Sequence, residues 1–387
     1  MNAESFISQK LDFKGKLAVS AIAVSFLVII IAVAVAAGFR KEIRRGVTDL
    51  TGDIQLTGSS FSYFSEEQSI SSELSYMDRL RSVDGVEEIV PVIYRAGIVR
   101  HGDDIQGVIV KGIPSSDTAS LQVSIPSRLA KTMQLAPGDD MLTYFVGDRL
   151  KLRRFHVKEV YQELVSDDDN LMVYASLEDM RRLNGWEGDA VSAMEVSLEN
   201  RYKGAAASRE KAAEMGSLAL AYAHDGDDIL VSAAAADKYA ALFDWLDLID
   251  FNVVAILILM TVVAGFNMIS GLLIMLFRNI STIGTLKSMG MTDKGVAGVF
   301  SRVASRIVLK GMLVGNAAAL LFCLVQGSTH LIPLNPENYF LSYVPVGVNI
   351  PFIILTDAAA YIIIMLLLRL PMTFITKVDP ARTVRSR

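Results

Sequence analysis

The chain has 387 residues, of which 52% are hydrophobic and 20% charged. Soluble chains are about 45–50% apolar and about 25% charged, so apolar residues must be concentrated in part of this one. Residues 40–245 hold 23 Lys/Arg against 34 Asp/Glu, a net charge of −11, and the remainder holds 14 against 8, a net charge of +6. An acidic domain within a basic membrane frame is therefore predicted. The composition excludes a simple cytosolic enzyme, a secreted disulfide scaffold (the one cysteine is Cys323) and a nucleic-acid binder that relies on net basic charge.

Residues 17–39 form the first predicted membrane helix. They contain no charged residue, and about 20 apolar residues suffice to cross the hydrocarbon layer. A cleavable signal peptide is the alternative, because Ala34-Val35-Ala36 resembles a small-residue cleavage site. The apolar core of a signal peptide is usually only about 7–15 residues long, which favours a spanning helix.

Three further spans are predicted at 246–277, 307–327 and 350–370. Lys310 interrupts the third predicted span and Asp357 interrupts the fourth. Lys310 lies near an end of its span and can extend its amine to the interface. Asp357 lies less than two turns into the fourth span, so we expect it at the interface in preference to a buried functional position.

Orientation follows from the basic residues of the short loops. The connection 278–310 carries six Lys/Arg, the tail from Arg369 carries five, and the connection 328–349 carries none. By the positive-inside rule, the N-terminal segment 1–16, the region 278–306 and the tail 371–387 are cytoplasmic, and both 40–245 and the loop 328–349 lie outside. Arg40, Lys41, Arg44 and Arg45 argue against this orientation, but a large translocated domain weakens the rule at its own flank.

The outer domain, 40–245, is predicted to be α+β. Helical and strand-like patterns are interleaved irregularly, without a glycine fingerprint, and two subdomains are expected with a seam near 115–125 and a return near 200. The predicted strands are 89–99, 105–113, 150–160, 171–174 and 191–198, and the predicted helices are 73–82, 127–134, 176–184 and 205–222. The stretch 233–250 is expected to be helical and to continue into the second span.

Motifs for catalysis are absent from the sequence. The four histidines are isolated from one another, and there is no GxSxG motif and no GxxxxGK[ST] phosphate loop. The acidic runs 167–169 and 225–228 lack the twelve-residue ligand loop of a calcium site, so we expect solvated turns. We therefore predict no catalytic residue, metal site or cofactor in this chain, and an energy source on a partner.

The cytoplasmic segment 278–302 is the most informative. Ile280, Ile283 and Leu286 form an apolar stripe on a short helix, Gly290 fits a helix C-terminus, and Thr292 with Asp293 fits the start of the next helix. Two interpretations are equally open. The short helix binds in a groove of a cytosolic partner, or it is a helical hairpin that packs on lipid headgroups.

The segment FNMISGLLIMLFRNISTIGTLKSMGMT (266–292) closely resembles lipoprotein-releasing permeases of the LolC/LolE type, within the FtsX/MacB-like permeases of ABC transporters. The resemblance continues over nearly the whole chain, in GDDMLTYF (138–145), RRFHVKEVY (153–161), LEDMRRLNGW (177–186), PENYFLSYVPV (336–346) and VDPARTVR (378–385). It implies four transmembrane helices, an α+β domain with the MacB-like periplasmic core between the first and second, and an FtsX-like permease domain over 246–387.

The resemblance also implies partners. Two permeases pair, as a homodimer or a heterodimer, and a separate LolD-like ATPase binds ATP and Mg beneath them in the bacterial inner membrane. Movement of the ATPase would be transmitted to the periplasmic domain, which would release lipoproteins to a periplasmic carrier. Position by position, the element that contacts the ATPase would be Ile283, Gly284, Leu286, Lys287 and Gly290. A lipid or substrate cavity is hypothesised at Phe26, Val28, Phe251, Val254 and Ile258, against the alternative that these are ordinary lipid-facing or packing side chains.

Three other functions are considered. A MacB-like efflux permease would normally carry its ATPase at the N-terminus, and only 16 residues precede the first predicted span. An FtsX-like signalling permease that controls a periplasmic hydrolase usually has a smaller outer domain. A membrane-bound hydrolase would need catalytic motifs that the sequence lacks. Arg278-Asn279-Ser281-Thr282 and Met291-Thr292 depart from the family pattern, which bears on which ATPase is the partner.

Overall fold

A computed structural model describes residues 16–65, 68–102, 104–115, 120–147, 150–163, 171–335, 339 and 341–372. Several sequence predictions lie outside these residues. They are the segment 1–16 except its last residue, the acidic run 167–169, and nearly all of the tail 371–387 with its VDPARTVR motif.

The chain divides into two units. The helical unit consists of Met1–Lys41, Leu246–Pro333 and Tyr343–Arg387, and the α+β unit consists of Glu42–Trp245 and Leu334–Ser342. The helices are α1 (Lys16–Thr51), α2 (Met77–Arg81), α3 (Ser127–Thr132), α4 (Leu177–Asn184), α5 (Ala205–Tyr222), α6 (Ala235–Lys238), α7 (Ala240–Arg278), α8 (Ile280–Ser288), α9 (Asp293–Thr329), α10 (Ile350–Leu367) and α11 (Arg369–Met372). The strands are β1 (Ile54–Gly58), β2 (Ile70–Ser71), β3 (Val86–His101), β4 (Asp104–Ile113), β5 (Gln122–Pro126), β6 (Asp140–Phe145), β7 (Lys151–Tyr161), β8 (Met172–Ser176), β9 (Ala190–Val191), β10 (Ala193–Leu198) and β11 (Leu230–Ala234).

Four helices among the described residues are long and apolar enough to cross a membrane, as the sequence predicts. They are α1, α7, α9 and the stretch Ile350–Met372 that holds α10 and α11. Two glycines bring α9 against α1. A Cβ atom on Gly315 would lie 2.4 Å from the carbonyl oxygen of Ala23, and one on Gly311 would lie 2.6 Å from Cγ2 of Ile22. Small residues four apart let two membrane helices pack with their backbones in contact.

The polar pair between α9 and α10 differs from the sequence prediction. Asp357 is only 8% exposed, and its Oδ2 accepts a hydrogen bond of 2.5 Å from Nδ2 of Asn316. The structure thus buries Asp357 against α9, where we expected an exposed position at the interface. A polar neighbour one helix away can satisfy a carboxyl group inside a protein, and nothing in the sequence of α10 alone shows that neighbour.

Strand β3 organises the α+β unit. Its first half, from Val86 to Val92, pairs with β10, and its second half, from Ile93 to His101, pairs with β4. Residues Gly97 to Arg100 also pair with β6. These pairings close a six-stranded ring in the order β3, β4, β8, β5, β7 and β6, and they extend a four-stranded sheet, β11, β1, β10 and β3, from the same long strand.

The predicted strands agree well with β3, β4, β7, β8 and β10, and the predicted helices agree with α2 to α5. The predicted seam is wrong. The chain passes from the sheet to the ring inside β3, between Val92 and Ile93, and re-enters the sheet at β10. Strand β3 runs uninterrupted through both sets of pairings, and Pro91, next to the boundary, does not end it.

The stretch 233–250 also differs from its prediction. Residues up to Ala234 belong to β11, which pairs antiparallel with β1, and the long helix α7 begins only at Ala240. Tyr239, with φ −112° and ψ 41°, separates α7 from the one-turn helix α6. Strand pairing therefore overrides the helical preference of Ala233 and Ala234, whereas Ala235 and Ala236 are helical.

Candidate functional site

Helix α8 lies between the long helices α7 and α9, and hydrogen bonds define both of its ends. Gly290 has φ +91°, its amide donates to the carbonyl of Lys287 over 2.9 Å, and the amide of Met291 donates to that of Leu286 over 3.0 Å. This pair of bonds is a Schellman motif, which needs a left-handed residue and therefore favours glycine. The next helix begins where Thr292 accepts a hydrogen bond of 3.2 Å from the amide of Gly295. The predicted helix ends at Gly290 and Thr292 are confirmed.

Two of the predicted coupling residues, Lys287 and Ile283, hold α8 against the neighbouring helices. Nζ of Lys287 lies 2.8 Å from a carboxylate oxygen of Asp293, and only 9% of the lysine side chain is exposed. Ile283 is 1% exposed and packs in a core cluster with residues of α7 and α9, and Gly284 is also buried. Leu286 is partly buried against the same cluster. The apolar stripe of α8 therefore faces its own chain.

The opposite face of α8 is exposed and mostly polar. It carries hydroxyl groups and ends on a single large apolar residue, Met289, which is 78% exposed. Ile280 adds a smaller apolar area, being 38% exposed. The hydroxyl-bearing residues of this exposed face are Ser281, Thr282, Thr285 and Ser288. Sequence reasoning missed this face because it searched for apolar anchors, and an apolar stripe on a short helix is as easily buried by its own chain as by a partner.

The residues of the hypothesised lipid cavity occupy different surroundings. Phe251, Val254 and Ile258 are 71%, 52% and 62% exposed and lie on one stripe of α7. Val28 is half-buried, and Phe26 is completely buried in the core of the helical unit. The structure thus brings the three α7 residues together on an open apolar stripe and places Phe26 in the packed interior.

The histidines lie in four separate places. His101 Nδ1 is 2.8 Å from the carbonyl of Met133, His156 pairs with Asp140, His224 Nδ1 is 3.0 Å from Oγ of Ser75, and His330 stacks on Tyr343. Among the described residues, no three His, Cys, Asp or Glu side chains form a group that could hold a metal ion.

The acidic run 225–228 joins two loops of the α+β unit. Asp227 accepts hydrogen bonds from the Ser75 hydroxyl and the His224 amide, and these bonds lower the pKa of its carboxyl group. Asp228 accepts a hydrogen bond of 2.8 Å from the amide of Ser71. The carboxylates of Asp227 and Asp228 therefore form hydrogen bonds within the α+β unit, whereas the sequence predicts a turn whose carboxylates face solvent.

The described residues have the features of a multi-pass membrane protein: four helices long and apolar enough to cross a membrane, and a β-rich domain. Residues 254–380 match the family of the FtsX-like permease C-terminal domain. The lipoprotein-releasing system transmembrane protein LolC of Xylella fastidiosa (strain 9a5c) is 20% identical over 406 residues, which cover 97% of this chain and 94% of LolC.

Two solved structures are similar to about half of the chain. The periplasmic region of MacB from Actinobacillus actinomycetemcomitans has 14% identity and a TM-score of 0.32, and covers 51% of this chain and 94% of its own. The extracellular domain of the noncanonic ABC-type transporter YknZ from Gram-positive bacteria has 13% identity and a TM-score of 0.29, and covers 46% of this chain and 98% of its own.

The matched FtsX-like permease domain and the similarity to LolC support an ABC-transporter permease of the FtsX/LolC type. This confirms the resemblance drawn from the sequence. Together with the four apolar helices, these similarities indicate a multi-pass protein of the inner membrane, and the permease subunits of that family are non-catalytic.

Proposed function

We propose that this permease couples ATP hydrolysis on a separate ATPase to movement of its α+β unit, and that its cargo is acylated lipoprotein. The ATPase, of LolD-like type, would bind ATP and Mg, and this chain would supply no cofactor site. A second permease would complete the assembly, and a periplasmic carrier would receive the cargo.

The observation that carries the coupling proposal is the construction of α8. The helix has a fixed start and end, an inner face packed on its own chain through Ile283, and an outer face left exposed. A helix that transmits movement needs both properties, because it must be packed firmly on the helices that it moves and still present a surface to the partner. We therefore place the contact with the ATPase on Ser281, Thr285 and Met289, with Lys287 and Gly290 shaping the turn.

The basic residues of the loops support an orientation with α8 in the cytoplasm. Six Lys/Arg lie in 278–310 and none in 328–349. In this orientation both termini are cytoplasmic and the α+β unit is periplasmic, between the first and second spans. The ATPase and the cargo would then act on opposite sides of the membrane.

Lipoprotein as cargo is supported by the similarity to LolC, a lipoprotein-releasing system transmembrane protein whose match covers 97% of this chain. The task also matches the need for an ATPase. Each methylene withdrawn from the bilayer costs about 0.8 kcal/mol, so removing two or three acyl chains costs on the order of tens of kcal/mol. The exposed stripe of Phe251, Val254 and Ile258 on α7 offers apolar area to such chains.

Charge placed on the exposed face of α8 tests the coupling. Met289→Asp should lower co-purification of the ATPase and its coupled ATP turnover about tenfold or more, because a buried charge without a partner opposes binding. Leu331→Asp is the matched control, since Leu331 is 72% exposed and lies in the loop at the other end of α9. Ile283→Asp is a poor test, because it would disrupt the core as well. Equal effects of the 289 and 331 variants would refute the placement of the contact.

Depletion of the protein tests the cargo. Outer-membrane lipoproteins should accumulate in the inner membrane, with no change in sensitivity to exported compounds. Correct lipoprotein sorting with altered compound sensitivity would favour the efflux alternative. Correct sorting with a defect in cell separation would favour control of a wall hydrolase.

A further inference from the structure

A buried ion pair lies beside the C-terminal end of α1, within the α+β unit. Lys111 on β4 and Glu195 on β10 approach to 2.7 Å, and their side chains are 3% and 11% exposed. Burial lowers the pKa of Lys111 and raises that of Glu195, while the attraction between the two charges opposes both changes. Removing one partner would leave an uncompensated charge in the interior, so the pair must be considered as one unit.

The lysine also binds the end of the helix. Nζ of Lys111 donates to the carbonyl of Asp49 over 3.0 Å and to that of Leu50 over 3.1 Å, in addition to Glu195. Asp49 and Leu50 belong to the last turn of α1, whose carbonyls have no partner within the helix and carry partial negative charge. A buried ammonium group is therefore placed where the helix end attracts a cation.

Two tyrosines bind the same carbonyls. The hydroxyl of Tyr94, on β3, lies 3.0 Å from the carbonyl of Leu50 and also contacts Glu195. The hydroxyl of Tyr174, on β8, donates to the carbonyl of Asp49 over 3.1 Å. Strands from both the four-stranded sheet and the six-stranded ring thus converge on one helical turn.

We propose that Lys111 is a positioning residue that fastens the last turn of α1 to β3, β4, β8 and β10, so that movement of this helix reaches the sheet at that point. The helix it holds is the one whose residues 17–39 form the first apolar span. The consequence for transport rests on the proposed function, whereas the attachment itself does not.

Hydrogen exchange on the full chain in lipid nanodiscs tests the attachment. In the double variant Lys111→Met/Glu195→Leu, apolar side chains replace both charges, which often preserves the stability of a fold. Amides of 43–52 should exchange about tenfold faster than in the parent chain, and amides of β3 and β10 should be unchanged. The control is Lys211→Met/Glu214→Leu, which removes another Lys–Glu pair of the same unit, with an N–O distance of 2.8 Å. It should leave 43–52 unchanged.

Unchanged exchange at 43–52 in the double variant would overturn the proposal. An equal increase over the whole α+β unit would also overturn it, because the pair would then serve global stability. With the ATPase present, the double variant should retain ATP turnover and lose cargo release about tenfold. Faster exchange at 43–52 with undiminished release would leave the attachment standing and refute its role in transmission. If the parent chain itself shows no cargo release, that result would count against the proposed function and would leave the attachment of α1 unaffected.

Discussion

Substitution of Gly315 by alanine should weaken the packing of α9 on α1. The added Cβ would lie 2.4 Å from the carbonyl oxygen of Ala23, 3.0 Å from Cβ of Phe26 and 3.1 Å from the amide nitrogen of Leu27. Two of these atoms belong to the backbone and cannot rotate away. Since ordinary contacts begin near 3.4 Å, the helices must separate locally by about 1 Å. Overpacking of this kind typically costs about 1–3 kcal/mol.

Gly271→Ala is the matched control. The new Cβ would meet only Cβ of Ala18, at 3.5 Å, which is ordinary van der Waals contact. Both substitutions exchange glycine for alanine inside a long apolar helix, so the change in helix propensity is similar and the difference between the variants isolates the clash. Heat and detergent unfolding of the purified full chain, followed by circular dichroism, measures the difference. Equal stability of the two variants would refute the close packing at Gly315.

Three further predictions concern separate parts of the chain. Burial lowers the pKa of Lys238 from 10.5 to about 8, whereas the hydrogen bond that Lys211 donates to Glu214 raises the pKa of Lys211. Limited acetylation of the full chain at pH 8 should therefore modify Lys238 first, and preferential modification of Lys211 would contradict this. The stability of the folded chain should also rise between about pH 8 and 10.5, because Lys238 keeps its proton to higher pH in the unfolded chain than in the folded one. Asp357→Asn should preserve the folded chain and Asp357→Leu should destabilise it in detergent unfolding, because only the amide can still bond to α9; equal effects would argue against the polar contact. The native Cys323 is buried, so introduced cysteines can report the orientation. Met289→Cys should react with an impermeant maleimide only in inverted vesicles, and Leu331→Cys only in intact spheroplasts. The opposite pattern would reverse the proposed orientation.

Local patterns were sufficient to predict much of the fold. The apolar runs predicted four long helices, and the capping residues around Gly290 and Thr292 predicted both ends of the turn after α8. Each of these features depends on residues close together in the sequence. The longer strands that the sequence does not predict, β1, β5, β6 and β11, have five or six residues and form through pairing with partners far along the chain.

The functional surfaces were harder to predict, because burial is a property of the whole chain. The sequence pattern predicts Ile283 as an anchor for a partner, yet the helical unit itself buries it. Lys111 carried no signal in the sequence, since its acceptors are Glu195 and two carbonyls more than 60 residues away. Asp357 is a charged residue in an apolar run, but its amide partner, Asn316, lies on another helix.

The contact between the exposed face of α8 and an ATPase is the central claim. A photo-crosslinking amino acid at position 289 of the full chain, expressed in its native host, tests it most directly when the products are identified by mass spectrometry. The account predicts a crosslink from position 289 to an ATPase with a phosphate-binding loop, and none to that protein from position 331. Crosslinks from position 289 to lipid alone, with the ATPase captured from neither position, would contradict it.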